Sequence, residues 1–385
     1  MAVIVFILAG LGILYVLAVF PLMIAARAKL FPNPVRGQDG HLDSVTAVIP
    51  VRNGARWLGR KIESVLAQNY PPHLLEILIV SDGSTDATDQ IAESYASRGV
   101  KLLRVNAGGK PAAVNAAVPS ANGNLLFLTD VRQILQPDCV RRLVAVMADP
   151  KVGVVSGDLR ITQGTDDEER NTIRYWRYEN WIRGNLSRLD SMLGATGPVY
   201  MIRRSLYVPI PPDTLLDDVY LPMSVLLAGY RLVHEPRAVA IDEPADLQTE
   251  FLRKVRTQAG VVQLFRIFPG LFSSRNRVRV SFVSLKIGRL LLPYLFVLLL
   301  ISGLSLPSAW RWWAAAPQLA FWALALIDPL FSSGSLIKPF TALPRAFGVL
   351  ISSAVYAMKV FFVPPRDLWV ETRGVNSPTS QEATW

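Results

Sequence analysis

Cysteine and histidine are scarce: the 385 residues hold one cysteine, Cys139, and three histidines, His41, His73 and His234. One cysteine excludes an intrachain disulfide and accords with a reducing compartment. Histidines so far apart have no metal-ligand spacing, which argues against a zinc site. No zinc-finger or RNA-recognition signature accompanies the formal net charge of +10, so nucleic acid is a poor partner for the basic surplus. There is no internal repeat and no low-complexity tract. Charge is missing altogether from Met1 to Ala26, and Arg27 and Lys29 follow at once.

That uncharged run exceeds the ~20 residues a spanning helix needs. Ala26-Arg27-Ala28 mimics a signal-peptide cleavage site, but the run lacks a basic start and is too long for a signal core, so it reads as an uncleaved anchor. Hydrophobic residues make up 51% of the chain, and the excess lies at its two ends. Arg27, Lys29 and Arg36, then Arg275, Arg277, Arg279, Lys286 and Arg289, flank the apolar ends. This pattern predicts contact with anionic membrane lipids and a cytoplasmic domain at a bacterial-type inner membrane. Leu290–Trp310 and Trp312–Ile327 are candidate spans. Ala346–Met358, followed by Lys359, either spans or lies in the interface.

Between the ends, short apolar runs alternate with amphipathic helical patterns. Strands are expected at Val45–Val51, Glu76–Ser81, Val100–Val105, Leu125–Thr129 and Val152–Ser156. Helices are expected from the end of the first strand to Gln68, at Ala87–Ser97, near Pro111–Val118 and near Pro137–Met147. Such alternation predicts an α/β fold with a mostly parallel sheet covered on both faces. The boundaries are an anchor at 1–30, a Pro- and Gly-rich linker at 31–44, the α/β domain at 45–245, and a membrane-interface helical region at 246–281. A C-terminal transmembrane region follows at 282–363, with a polar tail at 364–385. Residues 160–245 read as more irregular, with a solvated acidic loop at Thr165–Glu169. Arg253, Arg256, Leu264 and Arg266 suggest a helix along the membrane surface.

In parallel α/β sheets ligands bind beyond the carboxyl ends of strands. Asp82 and Asp130 sit at two such ends, and Asp217-Asp218 adds an acidic pair. An aspartate there also caps helices and turns; two in one sheet, with a third acidic site later, point to a binding centre. Gly83 permits a tight turn, and Ser84, Thr85 or Asp86 can cap the next helix, leaving Asp82 to face a ligand. Gly108-Gly109-Lys110 is not a Walker loop, because Arg104 stands where that motif needs glycine. Trp176 and Trp181, with Tyr175 and Tyr178, suit either sugar stacking or core packing.

Several segments occur in an order that resembles the family 2 glycosyltransferases, of GT-A fold. They are Val48-Ile49-Pro50-Val51-Arg52-Asn53-Gly54, Ser81 to Asp86, Gly108 to Asn115, Thr129-Asp130-Val131-Arg132, Gly194 to Pro198, and Leu216-Asp217-Asp218-Val219. With its membrane ends the chain looks like the polysaccharide-synthesising members. The resemblance implies that Pro50, Asn53 and Asp82 line the base and ribose pocket and that Lys110 meets the nucleotide. It implies that Asp130 begins a metal-binding Asp-x-Asp whose second aspartate is here Arg132, so that Mg or Mn is the expected cofactor. Arg132 could also neutralise the diphosphate without metal. Asp218 aligns with the general base, beside Asp217. Gly194 to Pro198, with Gly197 inside it, and Tyr200 resemble the acceptor loop.

Arg253-Lys254-Val255-Arg256-Thr257 occupies the place of Gln-x-x-Arg-Trp. Only Arg256 matches, as a diphosphate contact, and Thr257 removes a stacking platform. Trp369 and Arg373 resemble a tail element of related transferases. The implied activity is inverting transfer from a nucleotide-sugar, UDP favoured over GDP, to a polysaccharide or lipid-linked glycan. A polysaccharide-synthesis complex is an implied partner. Polyprenyl-phosphate transfer and a silent nucleotide-sugar-binding subunit are the rival readings.

Overall fold

The computed structural model describes residues 1–162, 167–243, 247–331, 335–365 and 367–368. β-Branched and leucine-rich runs pair into one sheet of eight strands: β1 (Val45–Val51), β2 (Leu75–Asp82), β3 (Val100–Val105), β4 (Leu125–Leu128), β5 (Ile134–Leu135), β6 (Val152–Ile161), β7 (Tyr200–Arg203) and β8 (Arg231–Asp242), in the order β3-β2-β1-β4-β7-β6-β8-β5. The pairs β1–β2, β1–β4, β2–β3 and β6–β8 are parallel. β7 runs antiparallel between β4 and β6, and β5 runs antiparallel to β8.

Side-chain alternation along β1 sorts two cores. Val45, Ala47, Ile49 and Val51 pack with Leu58 and Ile62 of helix α1 (Ala55–Leu66) and with Val140 and Leu143 of α2 (Cys139–Met147). Val48 faces the other way, with Ala113 and Val114 of α3 (Gly109–Ala117) and Leu221 and Val225 of α4 (Asp217–Leu227). Each face is thereby covered by helices, as a parallel sheet requires.

The stretch expected to be irregular carries a helix of 23 residues, α5 (Asp167–Leu189), besides β7, β8 and the last two residues of β6. Part of the expected acidic loop, residues 167–169, is helical, and the rest lies outside the described residues. Their polar side chains hid a helix whose apolar stripe begins later, at Ile182 and Leu186. Helix α6 (Leu247–Ile267) buries Val255, Ala259, Val261, Val262 and Leu264. It packs against the C-terminal helix Lys338–Tyr356 and shares an apolar cluster with Ile182, Leu186 and Val219.

Three helices among the described residues are long and apolar enough to cross a membrane: Ala2–Leu30, Arg279–Leu304 and Lys338–Phe361. The expected segment Trp312–Ile327 lies in a helix, Ser308–Ile327, that does not qualify; Arg311, Pro317 and Gln318 dilute it. The first two spans meet antiparallel through small residues, as membrane helices do. Gly288 admits Val16, Gly12 faces Leu295, and Gly303 faces Phe6. The linker is pinned along the domain: the Asn33 N–H donates to Arg188 O (2.7 Å) and the Arg36 N–H to Asp149 (2.9 Å). Trp369 and Arg373 lie outside the described residues.

Candidate active site

β1, β2 and β4 are parallel, so their carboxyl ends open on one edge, and a cavity of about 410 Å³ lies there. Pro50, Asp82, Lys110, Asp130, Arg132, Gly197, Asp217, Asp218 and Arg256 all line it. At the centre is Lys110, in the first turn of α3. Its Nζ donates to Asp130 Oδ1 at 2.9 Å and lies 3.2 Å from Asp217 Oδ2, an ionic contact. Burial alone would depress the Lys110 ammonium; Asp130 and then Asp217 outweigh it and hold the group well above the ordinary lysine value. Burial likewise opposes ionisation of Asp130, but Lys110 keeps that carboxyl below its usual range.

Asp217 and Asp218 open α4, where the helix dipole favours negative charge. Asp218 is raised to about 6, first by burial and then by the charge of Asp217, with Lys110 and Arg256 pulling the other way. The glycines of the loop Gly194 to Pro198 are packed against it. A Cβ on Gly197 would stand 3.1 Å from Asp218 Oδ2, and the Ala195 N–H donates to Asp218 O at 2.7 Å. Gly194 has φ +142, and a Cβ there would meet Val219 Cγ2 at 2.8 Å. Tyr200 is fully buried in β7 and does not line the cavity.

Three of the expected residues are also held by contacts within the chain. Asp82 does not stand free for a ribose: its carboxylate accepts the N–H groups of Gly108 (2.7 Å) and Gly109 (3.0 Å), fixing the glycine turn ahead of Lys110. It still lines the cavity and keeps lone pairs for a ligand. Asn53 does not line the cavity; at φ 52 its Oδ1 accepts from the Thr85 N–H at 2.8 Å, tying the β1 loop to the β2 loop. Arg132 lines the cavity, and its Nη2 pairs with Asp242 at 2.5 Å, where Gln133 Nε2 also donates (2.9 Å).

Asp242 is a site residue the motifs missed, although it ends an apolar strand as Asp82 does. Lys61 is another. Fully buried, it donates to Thr129 Oγ1 (2.6 Å) and Gln133 O (2.8 Å), and Thr129 Oγ1 donates on to Pro198 O (2.7 Å). One ammonium thus ties the β4 end to the loop Gly194 to Pro198; desolvation lowers it to about 7. Its setting within an amphipathic helix gave no sign of this.

No group of three His, Cys, Asp or Glu side chains that could hold a metal occurs among the described residues. Among the described residues, then, no cage of protein side chains is built. Asp130 does offer a half-exposed carboxylate to the cavity, which fits a cation such as Mg that draws its other ligands from water and substrate phosphates.

The family description "Glycosyl transferase family group 2" matches residues 130–325, just over half of the chain, and "Glycosyl transferase family 2" matches residues 46–208. The chain belongs to the family 2 glycosyltransferases. An N-acetylglucosaminyltransferase of Rhizobium sp. (strain N33) is 28% identical to this family 2 chain over 68% of it and 62% of the relative, so less than two thirds of that relative is spanned. One of Rhizobium leguminosarum bv. viciae is 26% identical over 75% of the chain and 72% of the relative. The fold is that of the mannosyltransferase PcManGT from Pyrobaculum calidifontis, solved with GDP-Man and Mn2+. The TM-score is 0.71 and the identity 21%, over 93% of this chain and 99% of that one.

Proposed function

We propose that this chain is an inverting glycosyltransferase, held in a bacterial-type inner membrane with its catalytic domain in the cytoplasm. It moves a sugar from a nucleoside-diphosphate donor, UDP in preference to GDP, to a polysaccharide or lipid-linked glycan. The observation that carries the reading is Lys110 set between Asp130 and Asp217, with Asp218 beside them in the same cavity.

Pro50 and Asp82 flank the nucleotide, and Lys110 meets its diphosphate. Asp218 takes the proton of the acceptor hydroxyl as its oxygen attacks the anomeric carbon. The bond from that carbon to the diphosphate breaks, and its electron pair leaves with the diphosphate. Burial that raises Asp218 makes it a better base, since a base works best with a pKa near the operating pH. Lys110 neutralises growing charge on the leaving group from a fixed position, which costs no reorganisation during the step. A divalent cation held by Asp130 would supply further Lewis-acid neutralisation of the diphosphate. Gly197 leaves room for the acceptor beside Asp218.

The names of the rhizobial relatives make UDP-N-acetylglucosamine the first donor to try. The test is nucleotide release from a panel of UDP- and GDP-sugars by detergent-purified protein, with and without Mg or Mn. Asp218→Asn is expected to bind donor and lose transfer. Full transfer by that variant would remove the base from the mechanism.

A further inference from the structure

The cavity is divided in charge. At the sheet edge the acids Asp82, Asp130, Asp217, Asp218 and Asp242 outnumber the cations. Another wall of the cavity, from α5, α6 and the helix Arg279–Leu304, carries Arg183, Lys254, Lys286 and Arg289, all close enough to act on the charge of Glu179, while its other carboxylate, Glu250, is paired with Arg253. Arg289 Nη1 pairs with Glu179 at 2.6 Å. Arg183 Nη1 donates to Thr196 Oγ1 at 2.5 Å, and Lys254 Nζ to the Tyr175 hydroxyl at 2.7 Å, so both keep their net charge. Lys286 makes no hydrogen bond or ion pair among the described residues.

Two further donors in this wall, Arg289 Nη2 and Trp176 Nε1, are buried with no acceptor among the described residues. Buried donors without acceptors are costly. A wall rich in cations and N–H groups and short of oxygen is complementary to an oxyanion. Lys286 and Arg289 stand on a helix apolar enough to span a membrane, and ionisable groups in such helices mark ligand sites.

We propose that this wall is a second anion site, which seats the phosphate or diphosphate of a membrane-held acceptor while the acceptor's sugar hydroxyl faces Asp218. The inference rests on the transferase reading above and names its acceptor class: a glycan carried on a lipid phosphate. Its residues are not those beside which the donor's own diphosphate is placed, Lys110 and Asp130, although both sets line the same cavity.

The experiment is binding to the full-length protein in detergent. Three probes are titrated, dodecyl phosphate, inorganic phosphate and a neutral dodecyl glycoside, each with and without saturating UDP. Dodecyl phosphate is expected to bind at least about tenfold tighter than the glycoside, with UDP bound at the same time. Lys286→Gln, which breaks no hydrogen bond among the described residues, should weaken it about tenfold, the worth of one charged contact. Trp176→Phe is the second variant and should weaken phosphate without changing UDP affinity.

Inorganic phosphate binding as tightly as dodecyl phosphate would refute the lipid source. Strict competition with UDP would assign the anion to the donor site and overturn the proposal. So would a phosphate preference that survives both variants. Failure of UDP to bind while the phosphate preference stands refutes the donor reading instead, which keeps the two failures distinct.

Discussion

Replacing Asp217 with Asn tests the electrostatics of the centre directly. Asp218 is raised to about 6 by burial and then by its neighbour's charge, while Lys110 lowers it. Asp217→Asn removes the repulsion and leaves Lys110 only one carboxylate in direct contact, Asp130, so both changes favour ionised Asp218. Burial persists, so the group should not return fully to the ordinary aspartate value. A fall of about one unit is expected, or about 1.4 kcal/mol between protonation states. The base must be ionised to act, so activity is present above its pKa and falls as pH drops through it. At pH 5 the wild type should run at about a tenth of its plateau, and the variant at about half of its own. The assay is nucleotide release at saturating donor across the acidic limb, each protein normalised to its own plateau. A limb that stays in place or moves to higher pH refutes the account.

Gly197→Ala places a Cβ 3.1 Å from Asp218 Oδ2; kcat should fall about tenfold, the scale of a slightly misplaced catalytic group, with the melting temperature unchanged. Purified protein without nucleotide should carry no stoichiometric Mg or Mn by elemental analysis, and chelation should stop transfer; transfer that survives complete chelation removes the metal from Asp130. Lys61, lowered to about 7 by desolvation, binds fewer protons folded than unfolded between that value and the ordinary 10.5. Apparent melting temperature should therefore rise with pH from 7 to 10, and that slope should vanish in Lys61→Met. An unchanged slope in the variant would assign the pH dependence to other groups.

The parallel part of the sheet was legible because it depends on local patterning. An apolar run such as Val100–Val105 followed by a helical stripe has few other ways to bury itself, and the expected and observed strand coincide. The middle region was less legible. β7 is four residues long and antiparallel, and α5 begins in charged residues whose buried apolar stripe, at Ile182 and Leu186, comes about four turns on. Lys338–Phe361 is a further case: its helix reaches beyond the apolar core of its sequence and is long enough to span, whereas Ser308–Ile327, also long enough, is too polar.

Sequence alone determined which residue types stand at the ends of β1, β2 and β4, because motif spacing places Asp82, Asp130 and Asp218 on strand ends and a helix start. Tertiary structure decided what those groups touch. Lys110 lies 20 residues from Asp130 in the chain, and Arg132 reaches Asp242 across 110. Such pairings follow from sheet register and loop packing, about which a periodic pattern carries no information. The same holds for the cationic wall: Arg183, Lys254, Lys286 and Arg289 come from three helices, none of which by itself shows that the four meet. Only packing them around one cavity removes water from between their charges, and that desolvation turns a solvated surface into a site with a demand for an anion.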